Sequence, residues 1–419
     1  MKIENKQDII DHFIEGNKKE SFIGVENEKF VFDKNTKKRC NYEQIYKVLD
    51  LLHKEFGWEK VGENNNLIGL RNNDKQVTLE PGNQIELAGS KLKNIHEVCS
   101  ESFQFQKQLE IACKKFDLEL LSIGFDPRSK LVEVPSNPKK RYIIMTKEMP
   151  KNGKLSLEMM YQTAGTQINL DYKDEKNFSD KFKIASYLTP LSIALFANSS
   201  IKENSYNKFL SYRSFVWQHT SRGGLPKIFL EGMDFEKYAD FCLYMPLLFI
   251  NKNGEYISPD NYTFKDFVEN KITKINKESP SKKDLENHLS TIFTEIRLKQ
   301  YLEIRSIDAC EWDCHCASPA FFTGLLYGNL HEALDIIKYW KISEVLNAYY
   351  EAPKKGLSTE IHGKKILDWG KLFLNICKSG LDMRDEINSK GNNESIYLRS
   401  IENILSEEKT KAEKSIKIA

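Results

Sequence analysis

Neither G-x-x-x-x-G-K-S/T nor G-x-G-x-x-G occurs anywhere in the 419 residues, which removes the P-loop and the Rossmann turn as ways to hold a nucleotide. Long apolar runs are also missing. The longest, around 190–197 and 245–250, fall far short of the roughly 20 residues a membrane-spanning helix needs. The opening MKIENKQDII interleaves charges without an apolar block, so no secretory leader is expected. An excess of either charge is absent: Lys plus Arg (62) nearly balances Asp plus Glu (60), and a net charge of +2 supplies no field to draw in nucleic acid or a membrane surface. The eight cysteines follow no repeating frame. That usage is expected of reduced thiols rather than a disulfide scaffold, and with no export signal it points to the cytoplasm.

What is present is an ordinary globular composition, 40% hydrophobic and 29% charged, long enough to bury a large core. Apolar residues recur at helical spacing over 7–15, 42–56 and 94–116, near 178–197, 235–250 and 284–290, and across 318–340 and 363–379. The charged tail 401–419 reads as a frayed surface helix. Loops are expected at 132–141, 251–261 and 272–283. None is long enough to separate domains, so 1–419 is expected to form a single domain with a helical C-terminal part from about 318. Strands interspersed with helices predict α+β with a largely antiparallel sheet.

The strands carry the chemistry. Over 22–32, Glu26 and Glu28 point to one face and Val25 and Asn27 to the other. Over 76–89, Gln84 and Glu86 oppose Ile85 and Leu87, and Glu80 stands just before the turn Pro81-Gly82-Asn83. Gln167, Asn169 and Asp171 alternate with Ile168 and Leu170; Arg297, Lys299, Tyr301, Glu303 and Arg305 alternate with Leu298, Leu302 and Ile304. A sheet with one wet face alternates in the same way. Glu, however, is disfavoured in strands, and here it recurs without the Thr and Lys of a plain solvent face. Brought together, Glu26, Glu28, Glu80, Glu86 and Glu303 would resist ionisation unless hard cations such as Mg²⁺ joined them. Arg305 would then face a bound phosphate rather than neutralise a carboxylate.

The same segments carry a resemblance. GVENEKF (24–30), LEPGNQIELAG (79–89), GFDP (124–127), RYIIMTKEMP (141–150), MMYQTAGTQINLDY (159–172), ALFANSS (194–200), YRSFVWQHTSRGGLP (212–226), RLKQYLEIRSID (297–308), WDCHCASPAFFTGLLY (312–327) and DMRDEIN (382–388) resemble, in collinear order, the motifs of glutamate–cysteine ligases of the plant and proteobacterial type. The resemblance implies a glutamine-synthetase-like fold, with a curved, mainly antiparallel sheet forming an active-site funnel and helices packed outside. It also implies a reaction: ATP phosphorylates the γ-carboxylate of L-glutamate, and the amine of L-cysteine displaces phosphate to give γ-glutamylcysteine. Two readings share that chemistry or part of it: a γ-glutamyl ligase with another amine acceptor, and a nucleotide-binding regulator without turnover.

By position, the resemblance makes Glu26, Glu28, Glu80, Glu86 and Glu303 the ligands of two or more Mg²⁺ ions. Gln167 and Asn169 would support metal or nucleotide phosphates, and Arg305, with Glu303 and Arg222, would serve catalysis. Arg213, Arg222 and Trp217 become candidates for the substrate carboxylate or the phosphates. Partners would be small molecules only, the chain a monomer or homodimer. Three departures stand out: Asn83 in place of a second Gly, Ser306-Ile307 in place of Gly-Ala, and Ser318 before Pro319. Cys99 and Cys316 align with a redox-responsive pair in plant relatives, whereas the second plant pair has no counterpart between Cys242 and Cys310. Cys310, Cys314, His315 and Cys316 match no usual zinc spacing.

Overall fold

A computed structural model describes residues 2–275 and 278–416. Residues 276–277 of the expected loop and 417–419 of the expected tail lie outside the described residues. The centre is an antiparallel sheet built from β1 (Ile23–Asp33), β2 (Glu59–Glu63), β3 (Asn66–Asn72), β4 (Lys75–Leu79), β5 (Ile85–Ala88), β6 (Leu118–Leu121), β7 (Gly165–Leu170) and a hairpin of Ile296–Leu298 with Leu302–Asp308. The hairpin's second strand pairs with β7, which pairs with β1; β1 continues to β5, β4, β3 and β2, while its last four residues pair with β6. The 11-residue β1 is therefore the hub strand.

Local signals set the flanking helices. Asn5 and Asp8 form a capping box that starts α1 (Lys6–Ile14), and Asn41 and Gln44 form one that starts α2 (Tyr42–Phe56). Asn94 accepts from the Glu97 amide to start α3 (Ile95–Lys115). The back face of β1 and β7, with Val25, Ile168 and Leu170, packs on helix Trp312–Thr323 in a main core that also takes in helices Glu175–Tyr187, Thr189–Leu195 and Ile366–Arg384. A second apolar cluster lies between β3–β5 and the α2–α3 pair. A third, with Tyr142, Met145, Met159, Met160, Trp217 and Phe293, walls the opposite face of the sheet. Helix Ile366–Arg384 lies so close to Gly324 that a Cβ on Gly380 would stand 1.9 Å from the Gly324 carbonyl, so only glycine fits.

Several boundaries differ from the pattern. The helix expected over 178–197 starts at Glu175 and is two, Glu175–Tyr187 and Thr189–Leu195, because Pro190 begins a new one. The expected 235–250 helix stops at Tyr244. The tail is not a frayed surface helix: Arg399–Glu407 buries Ile401, Ile404 and Leu405 in the main core, an anchorage its charge density conceals. Asn83 adopts φ 62° and holds the turn after Glu80, as its short amide permits. The bulk of Ser306 and Ile307 is absorbed by a β-bulge between Ile304 and Ile307, where Ser306 bonds Ser192 at 2.9 Å and Ile307 is fully buried. Among the described residues no helix is long and apolar enough to cross a membrane.

Candidate active site

Register turns the alternation into a row. Glu28 stands directly opposite Glu86, Glu26 opposite Gln167, Glu303 opposite Asn169, and Thr78 opposite Glu86. Like charges facing across a ladder are unfavourable, so the row carries a cost in the protein by itself. Amides offset part of it. Gln167 Nε2 donates to Glu28 at 2.7 Å, the Gly165 amide donates to the other Glu28 oxygen at 2.7 Å, and Asn169 Nδ2 donates to Glu26 at 3.0 Å.

A cavity of about 190 Å³ opens over this row, lined among others by Glu26, Glu28, Glu80, Glu86, Gln84, Gln167, Trp217, Arg297 and Arg305. Thus seven sequence-predicted residues meet there: Glu26, Glu28, Glu80, Glu86, Gln167, Trp217 and Arg305. Glu303 is placed differently. It is fully buried, with its oxygens held by Arg297 at 2.7 and 2.8 Å, by Lys299 at 3.2 Å and by Arg305. Arg305 does therefore neutralise a carboxylate, contrary to expectation, because the hairpin places Glu303 two residues away on the same face. Its guanidinium still reaches the cavity and lies 5.1 Å from the Trp217 ring centre; Arg213 approaches the same ring at 4.8 Å.

Arg213 and Arg222 are not in the cavity lining. Arg213, 1% exposed, donates to the Arg305 carbonyl at 2.8 Å and braces it from behind. Arg222 turns away at φ 65° and spends its donors on Thr291 and the Pro246 carbonyl, so its expected catalytic role is corrected to a structural one. Asp171 caps the Phe22 amide at 3.0 Å outside the lining.

Pattern reading passed over another group. Arg141 and Tyr142 reach the cavity from α4 (Lys140–Glu148), which begins inside the stretch expected to be loop. Tyr142 donates to Glu80 at 3.2 Å, and Lys139 Nζ donates to the Leu79 carbonyl at 2.8 Å. The buried Nε of Arg141 has no hydrogen-bond partner among the described residues. The signal was the run of cations at 139–141, which resembled surface charge. Alternation places Arg297 on the polar face without marking it as a site residue.

Burial dominates the electrostatics. It raises Glu28 to about 7, with Glu80 adding to the shift and Arg213 opposing it. Burial, then Glu80, Glu26 and Glu28, hold Glu86 well above the ordinary carboxylate range. For Glu303 burial alone would also raise it, but Arg297, Lys299 and Arg305 together hold it well below. Hard carboxylate oxygens that resist ionisation suit Mg²⁺, and the buried Asn169 Oδ1 and Gln84 Oε1 accept from no donor among the described residues. As placed, no three His, Cys, Asp or Glu groups among the described residues close on one ion. Mg²⁺ requires only one or two carboxylates when water and phosphate oxygens complete its octahedron, so these residues fit it.

Four of the eight cysteines are paired, Cys99 with Cys316 and Cys310 with Cys314. Cys99–Cys316 is the pair that the resemblance aligned; Cys310–Cys314 departs from the expectation of reduced thiols and leaves no zinc set at 310–316. Pairing depends on Cα separations of 5.8 Å that cysteine spacing does not report.

An antiparallel sheet carrying a carboxylate row under an arginine-flanked cavity is a fold of the glutamine-synthetase-like class. The fold agrees with the crystal structure of a glutamate–cysteine ligase from Francisella tularensis in complex with AMP, at TM-score 0.52 and 12% identity over 96% of this chain and 85% of that one. Residues 22–417 match the family Glutamate-cysteine ligase family 2 (GCS2), and the chain belongs to it. It is 37% identical to the chloroplastic glutamate–cysteine ligase B of rice (Oryza sativa subsp. japonica), over 99% of this chain and 84% of the relative. It is also 37% identical to the chloroplastic enzyme of Medicago truncatula, over 99% of this chain and 82% of the relative. The cytoplasmic expectation is thereby contradicted, since these relatives are chloroplast proteins. Cysteine usage reports redox environment rather than which membrane encloses it.

Proposed function

We propose that the protein joins the γ-carboxyl of L-glutamate to the amine of L-cysteine at the expense of ATP, through γ-glutamyl phosphate. The observation that carries this reading is the single cavity in which the Glu26–Glu28–Glu80–Glu86 row faces Arg141, Arg297 and Arg305. The four glutamates would hold Mg²⁺, whose charge, when bound, supplies neutralisation for phosphoryl transfer. A γ-carboxylate oxygen of glutamate attacks the terminal phosphorus and ADP leaves; the neutral amine nitrogen of cysteine then attacks the acyl carbon, and the phosphate departs with the C–O bond electrons and takes up the proton that the nitrogen sheds. Arg305, braced by Arg213 and stacked on Trp217, orients the transferring group from one side, and Gln167 fixes Glu28. Met145, Met159, Met160 and Phe293 line the same cavity and exclude water; their polarisable surface suits a short thiol side chain. We read 1–419 as one catalytic domain with a helical C-terminal part.

The test is incubation with Mg²⁺, ATP and glutamate plus cysteine, 2-aminobutyrate or β-alanine, following ADP and dipeptide. Cysteine-dependent dipeptide supports the reading. Turnover only with another amine assigns another acceptor, and nucleotide binding without any ADP assigns a regulator.

Arg141 lines the cavity with its buried Nε unpartnered among the described residues, and it is assigned to a substrate carboxylate or phosphate. Arg141→Met should lower kcat/KM about 10–100-fold, the loss of one charge-assisted contact. Its Tm should match wild type, since no internal ion pair is broken. Unchanged kinetics would remove Arg141 from the site.

A further inference from the structure

Glu80 stands where the sheet no longer holds it. The β4–β5 ladder ends at the pair Leu79–Ile85, so Glu80 lies one residue past it, in the turn Glu80-Pro81-Gly82-Asn83-Gln84. That turn closes on itself: the Glu80 amide donates to the Gln84 carbonyl at 2.9 Å, and the Asn83 amide donates to the Glu80 carbonyl at 2.8 Å. Its place relative to Glu26 and Glu28 is set by contacts outside the ladder.

Arg39 supplies a charged one. The chain turns back after β1, and Arg39 bridges Phe32 near the end of that strand. Its buried guanidinium lies over the Phe30 ring, 4.6 Å from the centre. Nη2 donates to the Gly82 carbonyl, while Nη1 donates to Asp126 at 3.0 Å and to the Tyr161 carbonyl at 3.4 Å. Asp126 is fully buried and is itself fixed by the amides of Arg128 and Ser129, each at 2.9 Å. The turn approaches helix Ser156–Gln162 so closely that a Cβ on Gly82 would stand 2.5 Å from the Tyr161 oxygen. Two carbonyl oxygens and a carboxylate thus converge on one planar fork, a geometry that a guanidinium fills and an ammonium does not.

Neutral contacts add to this grip. Asn137 Nδ2 donates to the Glu80 carbonyl at 2.6 Å, and Asn83 Nδ2 to the Cys40 carbonyl at 3.3 Å. Burying an ion pair adds little stability as such, because desolvation of both charges offsets their attraction. What Arg39 and Asp126 contribute is a fixed position for the turn.

We propose that Arg39, held by Asp126, is a positioning residue that fixes the Glu80 turn against β1 and so sets the spacing of Glu80 from Glu26 and Glu28. The functional consequence rests on the reading of these glutamates as cation ligands. A loosened turn that presents Glu80 about a tenth of the time raises the Mg²⁺ requirement about 10-fold, and excess Mg²⁺ restores turnover.

The test uses the full chain and three variants. Arg39→Lys keeps a charge beside Asp126 without the fork, and Arg39→Met removes both. Ile401→Ala, in the main core away from the cavity, is the control for lowered stability alone. Hydrogen exchange over residues 79–85 is measured without Mg²⁺, and turnover with cysteine is titrated with Mg²⁺. Both Arg39 variants should exchange 79–85 about 10-fold faster than wild type. They should need about 5–20-fold more Mg²⁺ for half-maximal turnover, with kcat at saturating Mg²⁺ within about 3-fold of wild type. Ile401→Ala should lower Tm and leave both readings unchanged. Should Arg39→Met fail to fold, Arg39→Lys decides the matter, since it retains the ion pair. Wild-type exchange over 79–85 in Arg39→Lys overturns the proposal. So does faster exchange throughout the chain with a loss of kcat that excess Mg²⁺ does not restore, which makes Arg39 a general support. Faster exchange confined to 79–85 with an unchanged Mg²⁺ requirement would keep the positioning role and remove Glu80 from the cation site instead.

Discussion

Replacing Glu303 by Gln is expected to cost about 3–5 kcal/mol of stability, the range for breaking a buried ion pair from one side. Glu303 is fully buried and is the carboxylate that Arg297, Lys299 and Arg305 share. An amide there offers one oxygen to three cations and turns N–H donors toward guanidinium donors. The pH dependence follows from the direction of the shift. Burial would raise Glu303, but Arg297, then Lys299 and Arg305, hold it well below its usual range. Its contribution is therefore present above the unfolded value, near 4.3, and is lost as pH falls through the folded one. Urea unfolding of wild type and Glu303→Gln should differ by the full amount at pH 7, and the gap should shrink below about pH 4. Turnover should fall with the hairpin that carries Arg305. Equal unfolding free energies without Mg²⁺, combined with loss of the Mg²⁺ response, would make Glu303 a metal ligand and not an ion-pair hub.

Glu86→Gln should do the reverse: raise the stability of the metal-free protein while lowering turnover by at least about 100-fold, the scale of losing preorganised charge at a reacting centre. Glu86 is 9% exposed and faces Glu28 across the ladder, with Thr78 donating to it at 2.9 Å. Burial, then Glu80, Glu26 and Glu28, raise its pKa well above the usual range, and Glu28 is lifted to about 7. A carboxyl whose folded pKa is raised binds its proton more tightly in the native state. Stability is then greatest below the unfolded pKa, near 4.3, and declines as pH rises through the folded value. Glu86→Gln removes this decline, so its Tm should exceed wild type at pH 8 and approach it at pH 5. Mg²⁺ competes with the same protons, so it should raise the wild-type Tm more at pH 8 than at pH 6, and much less in the variant. Wild-type turnover with an unchanged Mg²⁺ requirement would remove Glu86 from the cation site.

The two substitutions separate what pattern reading treated as one set. Alternation along each strand identified Glu26, Glu28, Glu86 and Glu303 as sharing a face, and they do. Alternation carries no information about register, so it could not tell that Glu86 confronts another carboxylate whereas Glu303 confronts Arg297. Arg305 lines the cavity, but its pairing with Glu303 is not legible in the alternation.

By itself, the sequence determined the period-two faces, five helix starts with their Asn and Asp caps, the left-handed turn at Asn83 and, through collinear motifs, the family. These follow from side-chain direction and local hydrogen bonding, which act within a few residues. Only the tertiary structure decided that Arg141 and Tyr142 arrive from α4, that Arg222 turns to backbone carbonyls, that Cys310 joins Cys314, and that Arg39 reaches both Gly82 and Asp126. These contacts, apart from the short Cys310–Cys314 link, join residues far apart in the chain. Their geometry is set by how sheet and helices pack, a non-local outcome that no local period encodes.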